Sequence, residues 1–255
     1  MSKPMIIPAW QRPHWQPSDE EILLQFYVFG SFEAGRPPMQ DYGSDGLPTG
    51  VTMTSYHHNA LRQWEGYPLK GSLGRMLKDD AAEAYRIALD APQVLVVRGQ
   101  IEDSPATGYL RDTFGVLAAL LDVGGTAIFD PQIAGLFSAD EWRRRYLVPD
   151  GAPTRAHLLI MRDGEEEPGR SWIHTRGMRK FGRPDISIRN VPDRDTDRAG
   201  MLCERLADLQ ALGAHFVEGQ PLEAEGVPGG MAATLGGDMN DPAFNNSYVE
   251  FRWPL

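Results

Sequence analysis

Short apolar runs bounded by glycine, proline and aspartate recur along the chain and predict strands. The run ILLQFYVFG over 22–30 is rich in aromatic and branched residues and ends in glycine, which is typical of a buried strand. QVLVVRGQI over 93–101 and TAIFD over 126–130 predict two more buried strands. DISI and YVEFRW alternate apolar with polar residues, so each predicts a half-buried strand. Further strands are predicted by HFVEGQ and by a hairpin with arms at 158–161 and 172–175.

Apolar residues spaced three and four apart predict helices. Ser104 or Thr107 is a candidate cap for the clearest of them, an apolar stripe that Gly124 stops. Ser138 followed three residues later by Glu141 matches a capping box that begins another helix. The four predicted helices lie at 72–89, at 107–123, after Ser138, and at 197–212.

The order of these elements predicts an α+β fold, with a mixed, mainly antiparallel sheet covered by helices. Strand, helix and strand over 93–130 have the size of a split βαβ unit, whose strands need not be neighbours in the sheet. Residues 1–20 hold four prolines before any periodic pattern, so we expect an irregular arm that packs Trp10 or Trp15 onto the body. No break in composition divides 21–255, and we expect a single α+β domain there.

Charge and cysteine content limit the partners and the compartment. The chain has 25 Lys and Arg against 35 Asp and Glu, a formal net charge of −10, which disfavours nucleic acid and anionic membranes and favours a basic protein partner. The single cysteine, Cys203, excludes an internal disulfide, and its place in an apolar helix predicts a small buried hydrophobe. The chain has no apolar run of membrane-spanning length and no signal-peptide core. We therefore expect a cytoplasmic location.

The stretch SWIHTRGMRKFGRPDISI, 171–188, concentrates four cationic residues in an acidic chain. Gly177 and Gly182 bracket MRKF, which predicts a tight excursion between two strands with positive φ or close backbone approach at the glycines. We expect Met178 and Phe181 to fill the core beneath this turn. The cationic side chains are expected to project outward as a local anion site; they are Arg176, Arg179, Lys180 and Arg183.

The pattern WxHTxGMxxFGxPDIxI in this stretch resembles a family of uncharacterised bacterial domains, in which Thr-x-Gly-Met or Thr-x-Gly-Leu precedes Phe-Gly, a proline and an acidic residue. LRDTFGVLAALLDVGGTAIFDP and LFSADEWRRRYL are similar to the same family, so the likeness covers about 94–191. The resemblance implies a small α+β bacterial domain, found in some cases near toxin and secretion loci. It supplies no established catalytic residues.

Catalytic and metal-binding patterns receive little support from the sequence. His174, Thr175 and Asp185 can be drawn as a hydrolytic triad. Adjacent strand residues point to opposite faces, however, which argues against a direct relay from His174 to Thr175. The simpler interpretation is that one side chain satisfies backbone groups in the turn and the other faces solvent. His57 and His58 have no recognised metal spacing and are expected at a loop-to-helix start, one packed and one exposed. We predict no metal ligands, no catalytic residues and no cofactor.

Two hypotheses of function stay open. The first is a non-enzymatic bacterial protein that binds another protein, such as an immunity or accessory factor for a toxin or secretion system, through 33–50, 176–183 and 226–246. The second is an enzyme or small-anion receptor with a pocket built on the 176–183 turn, which requires its side chains to converge on one cleft. The candidate binding residues are His174, Thr175, Arg176, Arg179, Lys180 and Arg183.

Overall fold

The chain has an α+β fold with two five-stranded, mostly antiparallel sheets, which confirms the predicted class. The computed structural model describes residues 10–32, 37–148, 151–223 and 227–254. Where one sheet was expected, there are two. Two compact units are formed by the described parts of the following segments: Met1–Gln11, Leu23–Glu102 and Ala106–Ala152 in unit 1, and Arg12–Ile22, Asp103–Pro105 and Pro153–Leu255 in unit 2.

The prediction of one domain over 21–255 stays a prediction. Within the described part of the predicted arm, residues 10–20 contain no helix and no strand, only an isolated bridge at Gln11. Residues 1–9 of that arm lie outside the described residues. No helix in the described part of the chain is long and apolar enough to cross a lipid bilayer.

The first sheet and the helices beside it follow one another along the chain between Ile22 and Tyr146. The strands are β1 (Ile22–Gly30), β2 (Val51–His57), β3 (Gln93–Ile101), β4 (Gly125–Asp130) and β5 (Gly135–Ser138), and the helices are α1 (His58–Leu61), α2 (Gly71–Asp80), α3 (Ala82–Asp90), α4 (Gly108–Asp122) and α5 (Ala139–Tyr146). The sheet order is β2-β3-β1-β4-β5. Strand β1 thus lies between the two strands that α4 connects, as expected for a split βαβ unit.

Helices pack on both faces of this sheet. Phe26 of β1 contacts Phe114 of α4, with 5.8 Å between ring centroids, and Trp142 of α5 packs edge-on against the same Phe114 ring. Successive strand residues point to opposite faces, so Tyr27 and Phe29 face the other side. There they join a buried cluster that includes residues of α2 and α3. Strand β2 stays largely outside this packing, because all its residues except Val51 are exposed.

The helix predicted over 72–89 is in fact two helices, α2 and α3. They break at Ala81, whose φ of −140° and ψ of 53° are not helical. Leu77 of α2 and Ala84 and Ala88 of α3 all enter the same buried cluster. The apolar spacing therefore continues from α2 into α3, although the helix is interrupted at Ala81. Of the two candidate caps of α4, Ser104 and Thr107, Thr107 lies at the N-cap position but makes no side-chain capping bond.

The capping box at the start of α5 is confirmed. The Glu141 N–H donates to Ser138 Oγ at 3.4 Å, and the Ser138 N–H donates to Glu141 Oε2 at 2.9 Å. The backbone hydrogen bond from Ser138 is the main cause of the lowered pKa of the Glu141 carboxyl.

We expect Ser138→Ala to lower the free energy of unfolding by about 1 kcal/mol, because the Glu141 N–H loses its side-chain acceptor. Urea unfolding followed by circular dichroism measures this change. Ser72→Ala is the control, since Ser72 lies inside α2 rather than at its cap. A loss at Ser138 no larger than the loss at Ser72 would mean that the box does not stabilise α5.

The second sheet belongs to unit 2. Its strands are β6 (Leu159–Gly164), β7 (Arg170–Arg176), β8 (Asp185–Pro192), β9 (Thr234–Asp238) and β10 (Asn246–Arg252), and its helix is α6 (Thr196–Ala211). The order is β6-β7-β8-β10-β9, with β8 and β10 parallel and the other pairs antiparallel. One face packs on α6, where Ile173, Ile186, Val249 and Leu206 share a buried cluster. Cys203 joins this cluster as predicted, and burial raises the pKa of its thiol.

Two predictions in the C-terminal region are wrong. HFVEGQ, 215–220, is not a strand: Gly219 has φ 76°, and its N–H donates to Ala233 O at 2.8 Å as the chain turns. The predicted late loop, 226–246, instead contains β9, which pairs with β10. Residues 224–226 in this region and 33–36 in the predicted 33–50 loop lie outside the described residues.

Candidate functional site

The glycine-bracketed turn between β7 and β8 has the predicted backbone. Gly177 and Gly182 have φ angles of 121° and 57° and flank a 3-10 helix at Met178–Phe181. Both φ values lie where a side chain is unfavourable, which explains the two glycines. Met178 and Phe181 are buried, as expected.

Two of the four cationic side chains in this turn are buried, whereas all four were expected to project outward. Lys180 and Arg183 are each 0% exposed. Lys180 Nζ donates to His157 O at 3.2 Å, and Arg183 Nη2 donates to Gln16 O and Gly213 O at 3.0 and 3.1 Å. A buried cation needs such acceptors to offset its lost hydration. The acceptors lie far away in the sequence, so the local pattern gives no sign of them.

Arg183 also belongs to a buried ion cluster with Arg12 and Asp103. Arg12 Nη1 lies 2.7 Å from Asp103 Oδ1, and Arg183 Nη1 lies 3.1 Å from Asp103 Oδ2. The indole N–H of Trp15 donates to the same carboxylate at 2.9 Å. The side chains of both arginines are 0% exposed and that of Asp103 is 3% exposed. Arg183 thus holds unit 2 together, and its guanidinium does not face solvent.

His174 and Thr175 point to opposite faces of the second sheet, as the strand geometry predicts. Thr175 Oγ1 donates to Asp185 Oδ1 at 2.9 Å. His174 Nε2 lies 2.8 Å from Asp163 Oδ2. Asp185 therefore contacts Thr175 and not His174, so the triad drawn from the sequence does not form.

His174 is part of a stack on the sheet face opposite α6. Its ring lies 3.8 Å from that of Trp172 at an interplanar angle of 12°, and Arg189 Cζ lies 3.6 Å from the Trp172 centroid. Burial lowers the pKa of His174, so the ring is neutral near pH 7 and its Nε2–H donates to the Asp163 carboxylate. These contacts join β6, β7 and β8 across one face of the sheet.

The remaining cations of the turn are half-buried. Arg179 Nη1 donates to Asn245 O at 3.1 Å, and Arg176 ends β7. The six predicted binding residues therefore lie on different faces and at different depths of unit 2. Their role in binding stays a prediction.

A different element, β2, has the features of an open binding edge. Six of its seven residues are exposed. Its sequence, VTMTSYH, contains no Asp, Glu, Lys or Arg, although 24% of the chain is charged. One edge pairs with β3 over the whole length of the strand without a bulge. Within the described part of the chain, no strand pairs with the other edge; the Val51 N–H at the start of β2 donates to Pro48 O at 3.0 Å.

The other three sheet edges are each protected in a way that β2 is not. Natural edge strands avoid unwanted pairing by being short, charged, bulged or covered. Strand β5 has only four residues. Strand β6 carries Arg162 and Asp163, both exposed. At β9 the N–H of Leu235 is taken by the Glu218 carboxylate at 2.7 Å.

A groove of about 730 Å³ lies beside this open edge, on one face of the first sheet. Thr52 and Arg98 are directly opposite each other on β2 and β3, as are Thr54 and Val96. The floor is formed by alternate residues of three strands and the wall by the chain around α1. The lining residues are Gln25, Tyr27, Thr52, Thr54, Tyr56, Ala60, Leu61, Trp64, Val96, Arg98, Gly99 and Gln100.

Strand β2 was not predicted from the sequence, although a signal was present, because the three β-branched residues in VTMTSY favour a strand. His57 and His58 were expected at a loop-to-helix start, whereas His57 ends β2 and α1 follows it directly. The expectation that one histidine packs and the other is exposed is confirmed, because His57 is exposed and His58 is 1% exposed. His58 Nε2 contacts the Tyr67 hydroxyl at 2.6 Å, and burial lowers the pKa of His58.

The candidate site is therefore the open edge of β2 together with the adjoining groove, both within unit 1. The function of this site is inferred from the geometry of β2 and the groove. No family model, no curated protein and no solved structure matches the chain.

Proposed function

We propose that the protein acts by binding another protein, and that an extended segment of this partner adds a strand to the open edge of β2. The observation that carries the proposal is an exposed edge strand of seven residues without a single charge. In strand addition the backbone groups of the edge supply affinity, and alternate side chains supply specificity. Because of the resemblance at 171–188, we also propose that the protein is an immunity or accessory factor of a bacterial toxin or secretion system.

Side chains on both faces of β2 add apolar contacts for such a partner. Met53 is 43% exposed on one face and Tyr56 is 41% exposed on the other. The net charge of −10 opposes pairing of two copies of this chain through the same edge. The same charge attracts a basic partner and speeds its association. The occupant that fits is therefore a different protein, basic overall, with an uncharged extended segment.

The double variant Met53→Lys/Ser55→Lys is expected to lose the partner, because lysine on an edge strand disfavours strand pairing. The tagged protein captures partners from its native lysate, mass spectrometry identifies them, and the purified partner is titrated against each variant. We expect at least about a tenfold loss of affinity, which corresponds to about 1.4 kcal/mol. Met201→Lys/Leu209→Lys is the matched control, since it adds the same two charges in unit 2, at residues of α6 that are 59% and 43% exposed.

Two results would count against strand addition at β2. The first is a partner that binds the double variant and the native protein equally. The second is the recovery of this chain alone as a dimer that the double variant dissociates, which would identify a second copy as the occupant. Circular dichroism of each variant checks that the exposed substitutions leave the fold unchanged.

A further inference from the structure

The groove of unit 1 has the size and lining of a small-molecule site. Its volume of about 730 Å³ lies within the roughly 300–1,000 Å³ of most ligand sites. Amide side chains of Gln25 and Gln100 and aromatic rings of Tyr56 and Trp64 line the same space. This combination of apolar surface and a few polar groups is typical of sites that bind organic molecules.

Trp64 is held in place as an exposed aromatic surface. It is 52% exposed, although tryptophan usually buries most of its ring. A Cβ at Gly66 would lie 2.5 Å from Trp64 Cζ2, so the indole rests on the bare backbone of this glycine. The backbone of Trp64 is fixed as well: its backbone N–H donates to Leu61 O, and its carbonyl accepts from the Tyr67 N–H and from Lys70 Nζ. A ring fixed in advance loses little entropy when a planar ligand stacks on it.

Arg98 is the one charged residue among the twelve that line the groove. It forms no ion pair with any acidic residue in the described part of the chain. A guanidinium binds a carboxylate through two parallel hydrogen bonds. A single positive charge in a protein of net charge −10 suits a monoanion better than a dianionic phosphate.

We propose that this groove binds a small aromatic carboxylate, with its ring stacked on Trp64 and its carboxylate paired with Arg98. The proposal goes beyond strand addition, because it concerns one face of the sheet and not the edge of β2. Arg98 shares that face with Thr52, its direct partner in the register, while Met53 and Ser55 point to the opposite face. Variants at Arg98 and variants at Met53 and Ser55 therefore test the two proposals separately.

Isothermal titration of the full chain with three probes tests the site. The probes are 4-hydroxyphenylacetate, its neutral amide, and adenosine monophosphate as an aromatic phosphate. We expect the carboxylate to bind about tenfold more tightly than the amide, a ratio that corresponds to about 1.4 kcal/mol. Arg98→Gln should reduce carboxylate binding to the level of the amide and leave amide binding unchanged, and Trp64→Ala should weaken both. Arg86→Gln, at an exposed arginine of α3, is the control and keeps native binding.

The proposal is overturned if the carboxylate gives no heat of binding, if it binds no better than the amide, or if Arg98→Gln leaves its affinity unchanged. Tighter binding of the nucleotide would overturn the choice of a carboxylate in favour of a phosphate. Unfolding midpoints of Arg98→Gln and Trp64→Ala close to the native value show that a loss of binding does not come from unfolding. The partner of β2 should still bind Arg98→Gln.

Discussion

Asp103→Asn is expected to lower the free energy of unfolding of unit 2 by about 3–5 kcal/mol, the cost of removing one partner from a buried ion pair. In this cluster the Asp103 carboxylate contacts the guanidinium groups of both Arg12 and Arg183, and neither arginine side chain is exposed. Asparagine preserves the shape but removes the negative charge that both guanidinium groups contact. The second unit should therefore be the first part of the chain to unfold in this variant.

Amide hydrogen exchange of β8 and β10 measures this effect, because it reports on unit 2 alone. Glu204→Gln is the control in the same unit, since the side chains of Glu204 and its partner Arg155 are 42% and 48% exposed. A pair so exposed contributes less than about 1 kcal/mol. Exchange in Asp103→Asn that matches the control would mean that the cluster does not hold unit 2 together.

Asp185→Asn is expected to remove much of the pH dependence of stability between about pH 4 and pH 6. Burial raises the pKa of Asp185 from 3.8 to about 6, although hydrogen bonds from Asn246 and Thr175 oppose the rise. The folded state then keeps a proton that the unfolded chain has already released. Stability contributed by this group is complete below pH 3.8 and is lost as the pH rises to about 6. The difference in pKa corresponds to about 3 kcal/mol.

Urea unfolding at several pH values, monitored by amide hydrogen exchange in β8, gives the slope of the free energy of unfolding against pH for the native protein and each variant. The diagnostic quantity is the change in slope, whatever the absolute stability of Asp185→Asn. Asp197→Asn is the control in the same unit, because Asp197 is exposed at the first turn of α6. Parallel curves for the native protein and Asp185→Asn would show that the buried carboxyl does not titrate in this range.

Elements that bury a continuous apolar face were predictable from the sequence. The strand at 22–30, the helix at 197–212 and the strand at 93–101 lie within one residue of their predicted bounds. In these elements nearly all inward positions carry apolar side chains, with Gln210 of α6 as a buried exception, so the period of the pattern is the period of the structure. Gly177 and Gly182 were predictable for a related reason, since their backbone conformations exclude most side chains.

The candidate site could not be predicted from the spacing of apolar residues, because Val51 is the one buried residue of β2. An edge strand with both faces exposed needs no apolar alternation, and its conformation is set by hydrogen bonds to β3, which is far along the chain. The charge pattern gave a wrong prediction for Arg183 for a similar reason. Arg183 lies in a run of basic residues that is typical of a surface, and its contacts with the distant Asp103, Gln16 and Gly213 explain its burial.

The parallel pairing of β8 with β10 places a constraint on the order in which the protein can fold during its synthesis. Tyr248–Arg252 pairs with Asp185–Arg189, and among the strands of the described residues β9 pairs with β10 alone. Strand β9 is therefore made by the ribosome before it has a partner, and the inner edge of β8 stays open until β10 emerges. A nascent chain stopped before Asn246 would present the unpaired strand β9 and the open edge of β8, the kind of surface that chaperones recognise and that aggregation uses.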